Sequence, residues 1–251
     1  MIRVSAVSYL NTAPYVYGLK VSGILDRVNL TLDYPAECAR KLLSDESDIG
    51  LVPVAVIPSL KEHHIITDYC LGATGPVRTT VLLSNSPLEQ IEKIYLDYQS
   101  KTSVTLVKVL AAHHWKINPE WLPLTPELDS NDIDPYEGVV IIGDRVFDFE
   151  SGFKFRYDLA DEWIKLTGLP FVFATWTANK IIDSNLIKDF NFAFNIGVNN
   201  IPAAIDFYAP KNISRKEAEY YLQNNLSFLL DDPKRDAIKL FWSLARELAP
   251  G

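Results

Sequence analysis

Three polar stretches in this chain each follow a short apolar run, and their residue types suit the binding of a small anion. The first is Ser8-Tyr9-Leu10-Asn11-Thr12, after the run 2–7. Asn11 can donate and accept a hydrogen bond at once without carrying charge; Asn is also an ordinary turn and capping residue. The second is Tyr98-Gln99-Ser100-Lys101-Thr102-Ser103, after the run 93–97. The hydroxyls of Ser100, Thr102 and Ser103, together with the free N–H groups of a following helix, suit a carboxylate or a phosphate. They suit equally a well-capped helix with nothing bound. The third is Gly143-Asp144-Arg145, after the run 138–142. Gly143 would let a ligand approach the backbone closely, and Asp144 could bind that ligand or cap the next turn. The second stretch is not a phosphate-binding P-loop, because the glycine pattern is absent.

The elements that must carry these stretches alternate. Residues 2–7 read as a strand, and Thr12 and Pro14 open a helix. Residues 30–34 alternate like a strand, and Pro35 starts a helix through Leu43. Residues 48–54 are a buried strand stopped by Pro53, at the edge of a parallel sheet where α/β ligands bind. Residues 65–71 and 79–84 read as further strands with a turn over 72–76, and 93–97 as a strand leading through the polar loop into a helix over 104–115. Leu122–Leu124 reads as a short strand, 125–136 as an acidic surface loop, and 138–142 as a buried strand. Then come a helix over 158–166, a β-forming run over 170–176, and helical patterns over 181–208, 214–230 and 232–248. The order is that of an α/β protein with two lobes: residues 1–86 with 169–251 form the first and 87–168 the second. The three polar strand ends would face one another across a cleft between the lobes.

Composition narrows the chemistry. Among 251 residues, 48% are hydrophobic, enough for a real core, and the net charge of −8 argues against nucleic acid or an anionic membrane as partner. The two cysteines, Cys38 and Cys70, lie far apart in apolar stretches and read as buried free thiols. The four histidines form two adjacent pairs, His63-His64 and His113-His114, whose side chains point apart, so no metal site is expected. No basic-then-apolar leader and no run of about 20 apolar residues is present, so a cytoplasmic, soluble protein is expected.

Four stretches taken in order, Ser8-Tyr9-Leu10-Asn11-Thr12-Ala13-Pro14, Asp48-Ile49-Gly50-Leu51-Val52-Pro53-Val54, Leu96-Asp97-Tyr98-Gln99-Ser100-Lys101-Thr102-Ser103 and Thr167-Gly168-Leu169-Pro170-Phe171-Val172-Phe173-Ala174, resemble the chorismate dehydratase family of the futalosine route to menaquinone. The resemblance spans most of the chain, although the last forty residues add little. It implies a two-lobed, periplasmic-binding-protein-like type II fold with two crossing strands as hinge. It also implies loss of water from chorismate to give 3-[(1-carboxyvinyl)oxy]benzoate, with the ring 4-hydroxyl leaving and the proton at ring carbon 3 removed. Aromatisation drives such a step, so no cofactor or metal is expected.

By this resemblance Asn11 is expected to bond the leaving hydroxyl or orient the enolpyruvyl group. Thr79 stands where the family has serine; it keeps the hydroxyl and adds a methyl. Ser8, Tyr9, Pro53 and Val54 would meet the substrate from the first lobe. Ser100, Thr102, Ser103, Gly143 and Asp144 would hold a substrate carboxylate from the second. Arg145 replaces an expected small apolar residue, with its direction open. Because no motif offers a general base, the substrate's own enolpyruvyl carboxylate is expected to take the ring proton. The partner is then a small anionic substrate, and the protein a monomer or homodimer. Two alternatives stay open. One is 1,4-dihydroxy-6-naphthoate synthase, whose opening Ser-Pro-Cys-Pro-Asn-Asp-like pattern is absent here. The other is a non-catalytic small-anion-binding protein on the same scaffold, which would normally carry a secretion signal.

Overall fold

In the computed structural model, which describes residues 1–125, 132–211 and 213–248, the opening apolar run is β1 (Ile2–Val7), and its last four residues are buried. β2 (Val28–Asp33) and β3 (Ile49–Pro53) flank it in parallel. β3 is buried along its whole length, as an unbroken apolar strand in mid-sheet should be. The crossovers are α1 (Ala13–Val21) and α2 (Pro35–Leu43), each with a proline in its first turn, where a missing N–H costs nothing. The expected Thr12 side-chain cap is not made. The Thr12 hydroxyl instead donates to Asn11 Oδ1 at 3.1 Å.

The chain continues through β4 (His64–Ala73) and then β5 (Thr80–Ser84), β6 (Lys93–Leu96), α3 (Lys101–Leu110), β7 (Glu120–Pro123), β8 (Glu137–Ile142), the short α4 (Val146–Phe149), β9 (Phe155–Asp158) and α5 (Leu159–Thr167). It returns as β10 (Phe171–Ala178) and finishes with α6 (Ser184–Val198), α7 (Ile201–Tyr208), α8 (Arg215–Tyr220), β11 (Ser227–Leu229) and α9 (Asp232–Glu247). Two sheets result, with strand orders β11-β4-β10-β3-β1-β2 and β7-β6-β8-β5-β9. The chain crosses between them twice, over residues 74–79 and 168–170. This is the two-sheet α/β plan with two crossings that the sequence implied.

Several local expectations change. Residues 79–84, read with the first unit, pair with β8 and β9, so the chain leaves the first sheet before Thr80. Gly72 and Ala73, read as a turn, extend β4 because they pair with Val172 and Phe171. β9 was not anticipated; it occupies the sheet edge beside β5. The expected continuous helix over 214–230 divides into α8, a π-helical turn (Tyr221–Asn225) and β11. The middle of the acidic loop expected over 125–136 lies outside the described residues.

The first sheet's core is aromatic. Tyr15, Trp176 and Phe194 are fully buried; Tyr15 meets Trp176 edge-on and Phe194 at a tilt, Trp176 stacks on Phe194, and the Tyr15 hydroxyl donates to the Cys70 carbonyl at 2.6 Å. α1 and α6 meet backbone to backbone: a Cβ on Gly197 would sit 1.7 Å from the Pro14 carbonyl oxygen. At the opposite end of the sheet from the polar strand ends, the Asp48 carboxylate accepts from Arg3 N (2.9 Å), Arg3 Nη2 (2.6 Å) and Lys180 Nζ (2.7 Å). Burial pushes the Asp48 carboxyl up, but the Arg3 and Lys180 bonds outweigh it and hold the group below the ordinary carboxylate range. The folded value is therefore depressed. The stability it contributes is present above the ordinary value of about 4 and is lost as pH falls through the folded value. Asp48→Asn should cost about 1–3 kcal/mol at pH 7. The gap to wild type, followed by chemical denaturation, should narrow once pH falls below about 4.

Candidate active site

The polar strand ends of the two sheets meet at one cleft. The first sheet contributes Val7 beyond the core of β1, Pro53 at the end of β3, and Leu71, Phe173 and Ala174 from β4 and β10. The second contributes Thr79 and Thr80 at the start of β5 and Ile142 and Gly143 at the end of β8. β5 is antiparallel to β8, with Thr80 opposite Ile142 and the Gly143 N–H donating to the Thr79 carbonyl at 2.8 Å. The beginning of one strand and the end of the other thus reach the same edge, the usual ligand edge of an α/β sheet. The cleft encloses about 50 Å³ of space for water-sized molecules, room for a few waters.

Of the residues singled out from sequence, Tyr9, Asn11, Pro53, Thr79, Ser100, Ser103 and Gly143 line this cleft. Ser8, Val54, Thr102 and Asp144 are not brought to its wall, and each has another engagement. Ser8 N–H donates to Asp33, and its carbonyl accepts from the Tyr208 hydroxyl at 3.1 Å. Val54 is buried between the Phe173 carbonyl, to which its N–H donates, and the Trp242 indole, which donates to its own carbonyl at 2.7 Å. Thr102 is fully buried; it accepts from Ala55 N–H at 3.2 Å and donates to the Phe173 carbonyl at 3.0 Å. Thr102 is helical because α3 begins at Lys101, before the expected Val104. The Ser100 hydroxyl caps that helix, accepting from Ser103 N (3.2 Å) and Ser103 Oγ (3.0 Å).

Asp144 joins the two halves. Its Oδ2 accepts from Leu10 N–H at 3.2 Å and from the Tyr208 hydroxyl at 2.9 Å, both on the first-sheet side. Burial pushes its carboxyl above the ordinary value despite these two bonds. Next to it, Gly143 takes a φ of +68°, and a Cβ there would lie 2.9 Å from the Tyr9 ring. Glycine at this position lets the ring close against the backbone. The Tyr9 hydroxyl reaches across to donate to Gln99 Oε1. Burial, reinforced by the nearby Asp97 carboxylate, pushes the Tyr9 phenol up, so it is neutral at pH 7.

Asp97 itself is fully buried and accepts from Gln99 N–H (3.0 Å), Ile142 N–H (3.1 Å) and the Arg145 guanidinium. Arg145 therefore points at Asp97 and lies over the Tyr98 ring, its guanidinium carbon 5.9 Å from the centroid. That resolves the direction the sequence left open.

Thr79 is delivered to the cleft by the first crossing. Asp158 accepts from the N–H groups of Val77 (3.0 Å) and Arg78 (2.6 Å). Its grip holds Arg78 in a left-handed conformation, φ +70°. The Thr79 hydroxyl then lies 2.7 Å from the hydroxyl of Tyr221, a fully buried side chain in the π-helical turn after α8. Tyr221 falls within the helical pattern read over 214–230. Nothing in its spacing separates it from Tyr220, which is 60% exposed. Phe173 and Leu226 also reach the cleft and were not singled out as site residues.

The cleft is thus a ring of neutral donors and apolar walls. Among the described residues that line it, Tyr9 is the one titratable group, and none is a carboxylate or an imidazole. Among the described residues no group of three or more His, Cys, Asp or Glu is placed to hold a metal ion. No described helix is long and apolar enough to cross a membrane. Because Asp144 bridges the halves, Asp144→Ala should leave Leu10 N–H and the Tyr208 hydroxyl without their acceptor, costing about 1–3 kcal/mol. It should also raise the radius of gyration measured by solution scattering.

The molecule's likeness to known proteins matches this geometry. A protein of Archaeoglobus fulgidus has a TM-score of 0.76 at 14% identity, covering 98% of this chain and 97% of that one. A Candida albicans protein, described as exhibiting the generic periplasmic binding protein structural fold, has a TM-score of 0.65 at 15% identity over 100% and 92%. The alkanesulfonate-binding protein of Xanthomonas axonopodis, bound to MOPS, has a TM-score of 0.60 at 13% identity over 99% and 94%. At these identities the likeness is one of fold. In sequence, the chain is 29% identical over 190 residues to the chorismate dehydratase of Thermus thermophilus, a match covering 67% of this chain and 66%, just under two thirds, of that relative. Residues 2–247 match the family model described as menaquinone biosynthesis, and the chain belongs to that family.

Proposed function

We propose that this protein removes water from chorismate to give 3-[(1-carboxyvinyl)oxy]benzoate, as a step of the futalosine route to menaquinone. The observation that carries the reading is a cleft lined by Asn11 from the first half and by Thr79, Ser100 and Ser103 from the second, with no carboxylate or imidazole among the described residues of its wall. The 29% identical relative from Thermus thermophilus, a chorismate dehydratase, adds support.

In this reading the substrate's ring carboxylate rests on the hydroxyls of Ser100 and Ser103 at the start of α3, where the helix end favours negative charge. Asn11 and Thr79 donate to the departing 4-hydroxyl. The enolpyruvyl carboxylate takes the proton from ring carbon 3. The electron pair of that C–H bond completes the aromatic ring as the C4–O bond breaks. The proton then passes to the departing hydroxide, and water leaves, so nothing is oxidised or reduced. Neutral Tyr9 packs beside the reacting ring as a wall and takes no proton.

The cleft holds only a few waters, so a six-membered ring enters after the two halves part at the crossings and is enclosed when they close. The setting this implies is a cytoplasmic hydro-lyase acting on a small dianion as a monomer or homodimer.

Purified protein mixed with chorismate, without added metal or nucleotide, should give a benzoate product lighter by one water, read by mass spectrometry. Chorismate left intact while another small anion binds tightly would mark a receptor instead. Asn11→Ala should fold normally and lower kcat by about 100-fold or more, the usual effect of removing one positioned donor. A chorismate analogue lacking the enolpyruvyl carboxylate should bind but not aromatise; normal turnover of that analogue would remove the substrate from the role of base.

A further inference from the structure

We infer that Tyr221 is a positioning residue whose hydroxyl, hydrogen-bonded to Thr79, aims the Thr79 proton into the cleft. The inference rests on the chorismate reading above and adds a residue that no cleft-lining argument supplies, because Tyr221 is itself fully buried behind the wall.

Hydrogen-bond direction decides which hydroxyl donates into the cleft. A phenol has a single hydrogen. Fully buried, Tyr221 must satisfy that hydrogen inside the protein, and Thr79 Oγ1, 2.7 Å away, is the acceptor it meets. Thr79 Oγ1 then acts as acceptor toward Tyr221, and its own hydrogen turns elsewhere. Thr79 lines the cleft, so elsewhere includes the substrate.

Tyr221 thus makes Thr79 a donor at the moment the leaving oxygen gains negative charge, without touching the substrate. Its backbone setting fits a fixed part. Tyr221 opens a π-helical turn between α8 and β11, and its ring meets Phe147, from α4 of the other half, edge-on at 6.1 Å. The tyrosine that orients Thr79 is therefore held from both sides of the cleft.

The test compares Tyr221→Phe with Tyr15→Phe, using chorismate and the full-length chain. Tyr15 is the matched control, since it is equally buried and its hydroxyl bonds the Cys70 carbonyl at 2.6 Å, with no link to Thr79. Tyr221→Phe should lower kcat by about tenfold or more with KM within about twofold, the signature of an interaction made in the transition state. Tyr15→Phe should lower the melting temperature and leave kcat near wild type. Thr79→Val reads the same link from its other end and should lower kcat with KM little changed. The double variant Tyr221→Phe/Thr79→Val should be no slower than Thr79→Val alone. Wild-type kcat in Tyr221→Phe, an equal loss in Tyr15→Phe, or losses that multiply in the double variant would each overturn the inference. Unchanged kcat in Thr79→Val would do so even if Tyr221→Phe does not fold. Wild-type protein inert toward chorismate overturns the functional reading and this inference with it; active wild type with an active Tyr221→Phe overturns this inference alone.

Discussion

The Thr102 hydroxyl sits where the two halves of the molecule touch, and the geometry of the cleft depends on it. It accepts from Ala55 N–H and donates to the Phe173 carbonyl, at 3.2 and 3.0 Å, in a position with no access to water. The Phe173 carbonyl also accepts from Val54 N–H at 3.0 Å, so one oxygen gathers the ends of β3 and β10 and the start of α3. Backbone groups at strand ends lose their ladder partners, and buried ones must find others. Here they find them across the cleft. The Ser100–Ser103 pair at the start of α3 is thereby set opposite Pro53 and Phe173. The Asp144 bridge to Leu10 and Tyr208 does the same at the other end of the opening.

The electrostatic arrangement follows from the same economy of charge. The chain carries a net charge of −8, yet no carboxylate is among the described residues that line the cleft, because the buried carboxylates near it are turned away and satisfied elsewhere. Asp97 is occupied by two backbone N–H groups and Arg145, Asp144 by Leu10 and Tyr208, and Asp158 by Val77 and Arg78. Burial pushes all three above the ordinary carboxylate range. Each then works as an acceptor that fixes a loop: Asp97 the end of β8, Asp144 the end of β1, Asp158 the crossing that presents Thr79. What lines the cleft is hydroxyl, amide and apolar side chain, with no buried cation to desolvate.

Local pattern determined most of the scaffold. The alternation of apolar runs with proline-started helices located β1, α2, β3 and α9 closely, because central strands and amphipathic helices write their burial into residue order. The short polar strand ends likewise marked Asn11, Ser100 and Ser103 as residues just beyond strand ends, and the two sheets bring those ends to one cleft. The Tyr-Leu-Asn-Thr and Thr-Gly-Leu-Pro-Phe-Val-Phe-Ala stretches pointed to the family that residues 2–247 match.

Tertiary structure decided the rest, and the reasons are long-range. Thr102 and Asp144 carry the same side-chain chemistry as groups that bind anions; only the positions of Ala55, Phe173, Leu10 and Tyr208, remote in sequence, turn them into braces. β5 could be joined to either sheet by its apolar run, and its pairing with β8 and β9 was settled by partners not yet written when β5 ends. Tyr221 is one aromatic among several in a helical stretch until a π-helical turn places its hydroxyl 2.7 Å from Thr79. Periodicity reports which face of an element is buried. It carries no information on which other element a buried hydroxyl meets, and in this protein that meeting decides whether a polar side chain faces the cleft or braces it.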